Sequence, residues 1–159
     1  MQFTVDKADQ LITVERTFAA PLPKVWAAWT ESSLLDQWWA PKPYKAETKR
    51  MDFSVGGYWL YAMKGPEGDA QWCRADYTAI TPEQHYSYVD AFCDENGHVA
   101  DKFPNATWNN DFKENDGQTT VHIRISFDSL EDLEKIVEMG FQEGFTMGMN
   151  NLDELLGRQ

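Results

Sequence analysis

Asp90 is the residue of this chain whose surroundings most favour acid–base chemistry. It lies in HYSYVDAFCD (85–94), a predicted strand in which it shares one face with Tyr88 and Phe92. A carboxylate among aromatic rings can have a raised pKa and act as an acid or a base. It can equally serve as a hydrogen-bond acceptor at a strand end. Because the turn-forming DENG follows, we expect Asp90 at a solvated rim, with a pKa near the ordinary value for aspartate.

Arg74 and Asp76 are a second set of charged residues. They are two positions apart in AQWCRADYTAI (70–80), so they share one face of the predicted strand. Together with Thr78 they are expected to point outward, where an exposed ion pair contributes little stability. The opposite strand phase would turn them towards the interior, where they could bind the polar head of a ligand. We favour the outward arrangement.

Other motifs of catalysis and cofactor binding do not occur in the sequence. His85, His98 and His122 are far apart, so we expect no metal site. There is no nucleophile elbow, Walker motif or dinucleotide-binding loop, so we expect no cofactor. Cys73 and Cys93 are favoured as two small buried hydrophobic residues, with a redox pair left open. We therefore expect binding without turnover, with an enzyme as the alternative.

An aromatic set at strand and helix spacing predicts an apolar interior, either a filled core or the lining of a ligand cavity. Packing in the core is favoured for any single residue, whereas the set as a whole is consistent with a cavity. Asn110 lies beside Trp108 and Phe112, and it too could either contact a ligand in the interior or make a structural hydrogen bond. We take Asp90 and Asn110 as candidate polar anchors. The candidate lining residues are Trp59, Tyr61, Met63, Tyr77, Trp108, Phe112, Phe141, Phe145 and Met149.

The composition limits the classes of partner. The chain has 159 residues, with 26 acidic against 14 basic residues and a formal net charge of −12. Such a chain repels phosphate backbones, so we expect no nucleic acid partner. No apolar run reaches the length of a membrane span, and the N-terminus does not have the pattern of a signal peptide. We expect a cytoplasmic protein with a single domain over residues 1–159 and a core over about 11–156.

The elements that must position these residues follow a simple order: a strand, two short helices, six strands and a long C-terminal helix. LITVERTF (11–18) and QTTVHIRISF (118–127) alternate clearly, and tight turns between successive strands favour an antiparallel meander. Glycines at 140, 144 and 148 recur every fourth residue in the last predicted helix. They indicate where this helix approaches the sheet most closely, or where space is left for a ligand.

Three segments resemble the activator of heat-shock protein 90 ATPase homologue family, within the START-like (SRPBCC) helix-grip superfamily. They are ERTFAAPLPKVWAAWTESSLLDQWWAPKPY, MDFSVGGYWLYAMKGPEGDAQWCRADYTAI and MGFQEGFTMGMNNLDELL, in that order. The resemblance implies an α+β fold in which a curved seven-stranded antiparallel sheet wraps around the C-terminal helix.

The same resemblance offers three functions. The first is binding of an apolar small molecule between sheet and helix. The second is interaction with a chaperone ATPase as partner, and the third is an enzyme of the polyketide cyclase or dehydratase type. No definite acid–base pair is visible in the sequence, so ligand binding ranks first. The oligomeric state stays open.

Overall fold

The computed structural model describes residues 1–100 and 105–158. The strands are β1 (Gln2–Asp6), β2 (Leu11–Phe18), β3 (Lys45–Met51), β4 (Tyr58–Lys64), β5 (Ala70–Thr81), β6 (His85–Cys93), β7 (Ala106–Asn115) and β8 (Gln118–Phe127). The helices are α1 (Leu22–Thr30), α2 (Ser32–Trp38), α3 (Leu130–Glu138) and α4 (Phe141–Arg158).

All the strands join one antiparallel sheet in the order β1-β2-β8-β7-β6-β5-β4-β3. The predicted meander from β3 to β8 is confirmed, and so is the helix-grip α+β fold. The predicted strand count is corrected from seven to eight, because Gln2–Asp6 pairs with Leu11–Glu15 as an additional edge strand. The two short helices consequently follow the second strand and not the first.

The clear alternation in β2 and β8 places one face of the sheet in the core. Val14 pairs with Ile123, and Ile12 pairs with Ile125, and all four side chains have at most 1% of their surface exposed. Side chains of a strand alternate between faces, so this register places every second residue of both strands inside. The helices cover that inner face, with Met149 and Leu152 of α4 fully buried.

The predicted C-terminal helix is two helices. Ser129 caps α3, since its Oγ accepts a hydrogen bond of 3.1 Å from the backbone N–H of Asp132. Gly140 then adopts φ +88°, a left-handed conformation that glycine reaches without a steric penalty, and α3 ends. Gly140 therefore separates the two helices, and α4 begins at Phe141.

The glycines of α4 differ in their surroundings, and the expectation of a close helix–sheet approach is wrong. A Cβ atom on Gly148 would lie 3.2 Å from the carbonyl oxygen of Trp39, so the close approach is to the end of α2. The Asn151 side chain donates to the carbonyls of Trp38 and Ala40 and holds the same backbone segment. A Cβ on Gly144 would meet only the Pro41 side chain, at an ordinary 3.7 Å.

These surroundings predict opposite effects for the same substitution. Gly144→Ala should raise the free energy of unfolding by about 1 kcal/mol, because alanine is the better helix former and its methyl group has room. Gly148→Ala should lower it by about 1 kcal/mol, because the new methyl group crowds a backbone carbonyl that cannot easily move. Denaturant midpoints of the two variants and the wild type measure both effects. Two stabilised variants would contradict the close contact at Gly148.

Candidate functional site

A cavity of about 260 Å³ lies between the inner face of the sheet and the α3–α4 pair. Met139, at the junction of the two helices, lines the cavity and is 52% exposed, which places an opening at that junction. The cavity is lined by Trp39, Pro41, Tyr61, Met63, Cys73, Asp90, Ala91, Phe92, Ala106, Trp108, Ile125, Phe127, Ile136, Met139, Gly140, Phe141, Gly144 and Phe145.

Small residues in the centre of the sheet explain why space remains there. Asp90 of β6 pairs with Ala75 of β5 on one side and with Ala106 of β7 on the other. Directly paired residues have side chains on the same face, so these two alanines flank the Asp90 carboxylate. Cys73 is another small side chain of the cavity wall. Larger residues at these positions would fill the space.

The Asp90 carboxylate faces this space and is held by two donors. Its Oδ2 accepts a hydrogen bond of 2.8 Å from the Trp108 Nε1–H, and its Oδ1 accepts one of 2.9 Å from the backbone N–H of Ala106. Burial raises the pKa of Asp90 to about 6, although both hydrogen bonds favour the ionised form. The expectation of a solvated rim with an ordinary pKa is therefore wrong.

Two neutral polar groups accompany this carboxylate. The Trp39 Nε1–H donates a 2.9 Å hydrogen bond to Tyr61 Oη. Burial raises the pKa of the Tyr61 phenol well above its ordinary value. Burial, together with the nearby Asp90 charge, raises the pKa of the Cys73 thiol to about 12. Both groups are therefore uncharged near neutral pH, and Cys73 is not an activated nucleophile.

Five of the nine predicted lining residues meet in the cavity. Tyr61 and Met63 come from β4, Trp108 comes from β7, and Phe141 and Phe145 come from α4. The Phe141 and Phe145 rings stack with their centroids 5.2 Å apart. Asp90, one of the two predicted polar anchors, joins this group.

The other four predicted lining residues pack elsewhere in the core. The Trp59 ring stacks on the Tyr61 ring, with their centroids 3.9 Å apart, and does not line the cavity. The Tyr77 and Phe112 rings pack against Phe53 and Trp26, at 4.8 and 5.0 Å. Met149 is fully buried in α4.

Asn110 shares the inner face with Trp108 but does not line the cavity. Its side chain is fully buried, and neither amide atom has a hydrogen-bond partner among residues 1–100 and 105–158. Arg74 and Asp76 point outward, as expected, with hydrogen bonds of 2.9 and 2.6 Å between them.

Trp39 is a cavity residue that the sequence analysis missed. It is the residue directly after α2, in the segment WWAP. The alternation of strand residues gives no information on the direction of a side chain at the end of a helix. The signal available in the sequence was the tryptophan pair itself, directly before the proline that ends the helix.

Cys73 and Cys93 are both free and buried. Cys73 pairs with Phe92 across the strands, so these two side chains lie on the same face of the sheet. Cys93 follows Phe92 in β6, so its side chain points to the other face. This geometry agrees with two small buried residues and not with a redox pair. Within the described residues no group of three or more His, Cys, Asp or Glu side chains could hold a metal ion.

The curved antiparallel sheet, the long helix α4 and the cavity between them define the helix-grip class of protein. The family model for Activator of Hsp90 ATPase homolog 1-like protein matches residues 19–157, and the chain belongs to this family. No curated protein sequence matches the chain significantly.

Solved bacterial structures share the fold over nearly the whole chain. A crystal structure of a Mycobacterium smegmatis protein has a TM-score of 0.90 and 28% identity, covering 98% of this chain and 96% of that one. A solution structure of an Arthrobacter aurescens protein has a TM-score of 0.93 and 27% identity, covering 99% and 92%. The AHSA1 protein from Silicibacter pomeroyi, at 19% identity, has a TM-score of 0.72 over 92% and 97% of the two chains and shows the fold alone. Among the described residues, none of the helices combines the length and the hydropathy that a membrane-spanning helix needs.

Proposed function

We propose that this protein binds a small, mostly apolar molecule in the cavity between the sheet and helices α3 and α4. The observation that carries the proposal is an apolar space whose described lining residues include one carboxylate, the partly buried Asp90, because ligand sites combine apolar walls with a few well-placed polar groups. The free cysteines agree with a reducing compartment, so the proposal includes a cytoplasmic location.

The cavity volume limits the size of the ligand. At about 260 Å³ it is just below the range of about 300–1,000 Å³ that is typical of drug-sized ligands. An apolar cavity of about 150 Å³ holds the six carbon atoms of benzene, so by proportion this cavity of about 260 Å³ holds about ten non-hydrogen atoms. A phenylbutyl group is of this size.

The uncharged probe 4-phenylbutan-1-ol tests the proposal by isothermal titration calorimetry. We expect a dissociation constant of about 0.1–1 mM, in line with the binding energy per atom of small ligands. Gly144→Leu should abolish binding, because Gly144 lines the cavity and leucine would extend into it. Gly157→Leu is the matched control, since Gly157 lies on the same helix with nothing within 4 Å of a Cβ atom there. Equal binding by wild type and Gly144→Leu would place the site elsewhere.

A second candidate function is catalysis, and the position of Asp90 favours it. A carboxyl group with a pKa of about 6 on an apolar cavity is suited to proton transfer near neutral pH. The expectation of binding without turnover assumed a solvated Asp90, and that assumption is wrong. Incubation with cell extract, followed by mass spectrometry, separates the two functions. Conversion of a metabolite by the wild type, lost in Asp90→Asn, would establish the enzyme.

Interaction with a chaperone ATPase is a third function, suggested by the family alone. It does not depend on the cavity. A chaperone ATPase stimulated equally by wild type and by Gly144→Leu would favour this interaction over ligand binding.

A further inference from the structure

We infer that the cavity selects amines: its ligand is an apolar molecule of about ten non-hydrogen atoms with one protonated amino group, which pairs with Asp90. The inference rests on the proposed function and names the ligand class for the same site. It goes beyond that function because an apolar cavity alone does not discriminate between charges.

Among residues 1–100 and 105–158, the side chains that line the cavity include one that is negatively charged and none that is positively charged. Among its lining residues in the described chain, only Tyr61, Cys73 and Asp90 can titrate, and none is Lys, Arg or His. Burial keeps Tyr61 and Cys73 in their neutral forms. The lining residues from β7, β8, α3 and α4 cannot ionise. No described lining residue therefore supplies a cation to the Asp90 charge.

The hydrogen bonds of Asp90 leave acceptor capacity for a ligand. Each carboxylate oxygen accepts one bond from the protein, from Trp108 Nε1–H and from the Ala106 N–H. A carboxylate has about four acceptor sites, so about two remain. An ammonium group has three donors and can use them, and a bond between two charged partners is about twice as strong as a neutral one.

The same charge excludes anions of equal size and gives neutral ligands no ion pair. A carboxylate ligand would place two negative charges in one apolar space, which is strongly unfavourable. An alcohol can donate a hydrogen bond to Asp90, so it can bind. Because it carries no charge, it does not neutralise the carboxylate. The formal net charge of −12 also raises the concentration of cations near the protein.

Calorimetry with three probes of one shape tests the inference at pH 7.5: 4-phenylbutylamine, 4-phenylbutan-1-ol and 4-phenylbutanoate. The amine should bind at least about tenfold more tightly than the alcohol, and the carboxylate should show no binding at matched concentrations. An amine that binds no more tightly than the alcohol, or a carboxylate that binds as well, overturns the inference and leaves ligand binding intact. No binding by any probe overturns the proposed function as well.

Variants locate this selection on Asp90. Asp90→Asn should remove the preference, so that the amine binds no more tightly than the alcohol, because an ammonium without a counter-charge is costly in an apolar space. Asp76→Asn removes an equal charge from the outer face and should leave the ratio unchanged. An unchanged ratio in a folded Asp90→Asn variant overturns the inference.

A pH series on the wild type gives a test that needs no variant. The amine stays protonated throughout, and Tyr61 and Cys73 stay neutral below pH 8. Only the ionised form of Asp90 pairs with the amine, and at pH 5 about one molecule in eleven is ionised, so affinity for the amine should fall about tenfold from pH 7.5 to pH 5. The affinity for the alcohol should stay nearly constant. A parallel change for both probes overturns the inference.

Discussion

Wild-type protein should gain about 2 kcal/mol of stability relative to Asp90→Asn when the pH is lowered from 7 to 4. The pKa of Asp90 is about 6 in the folded state against an ordinary 3.8. Between these values the folded protein holds a proton that the unfolded chain releases, so stability decreases as the pH rises. The full shift corresponds to about 3 kcal/mol, of which about 2 falls between pH 7 and pH 4.

The measurement is urea unfolding of both proteins across this pH range, expressed as the difference between them so that the other carboxylates cancel. Asp94→Asn is a control of opposite sign. The backbone N–H of His98 donates to the Asp94 carboxylate and lowers its pKa, so wild type should lose stability relative to that variant as the pH falls. A difference between wild type and Asp90→Asn that does not change with pH would show that Asp90 is solvated.

Trp39→Ala should lower the free energy of unfolding by about 3 kcal/mol and remove one wall of the cavity. Six aromatic rings have centroids 5.3–6.5 Å from that of Trp39, and its indole N–H donates to Tyr61. The substitution would also leave the buried Tyr61 hydroxyl without this donor.

Trp72→Ala is the matched control. Trp72 is also partly buried, but it lies on the outer face of β5, next to Lys49. Its removal should cost about 1 kcal/mol, since no core cavity is created. Chemical denaturation of the two variants gives the comparison. Equal losses would contradict the central position of Trp39 in the inner aromatic cluster.

The sheet could be predicted from the sequence because alternation reports directly which face of a strand is buried. The boundaries of β2 and β8 match the predicted segments, and the alternating residues at positions 121, 123, 125 and 127 are buried. The five-residue strand β1 was missed because it is short and only partly buried, so its sequence has weak patterning. The break at Gly140 was missed because helical spacing continues on both sides of it.

The lining of the cavity could be predicted only in part. Alternation shows which face of a strand a residue is on, but not where along the strand the cavity lies. Trp59, Tyr61 and Met63 share a face, yet only the last two reach the cavity, since α3 and α4 leave space at that end of the sheet. Asp90 was expected at a rim because a turn follows its strand. Trp108 donates to its carboxylate and the α3–α4 pair covers the cavity that it lines, and both are distant from Asp90 in sequence.

The central claim is that an apolar amine occupies the cavity beside Asp90, and intermolecular NOEs test it most directly. Isotope-labelled protein would be mixed with unlabelled 4-phenylbutylamine near pH 7.5. The account predicts NOEs from the phenyl and methylene protons of the probe to Met63, Trp108 and Phe145, and a change in the Asp90 carboxyl carbon shift. NOEs to residues outside the cavity, or none at a concentration that saturates calorimetric binding, would contradict it.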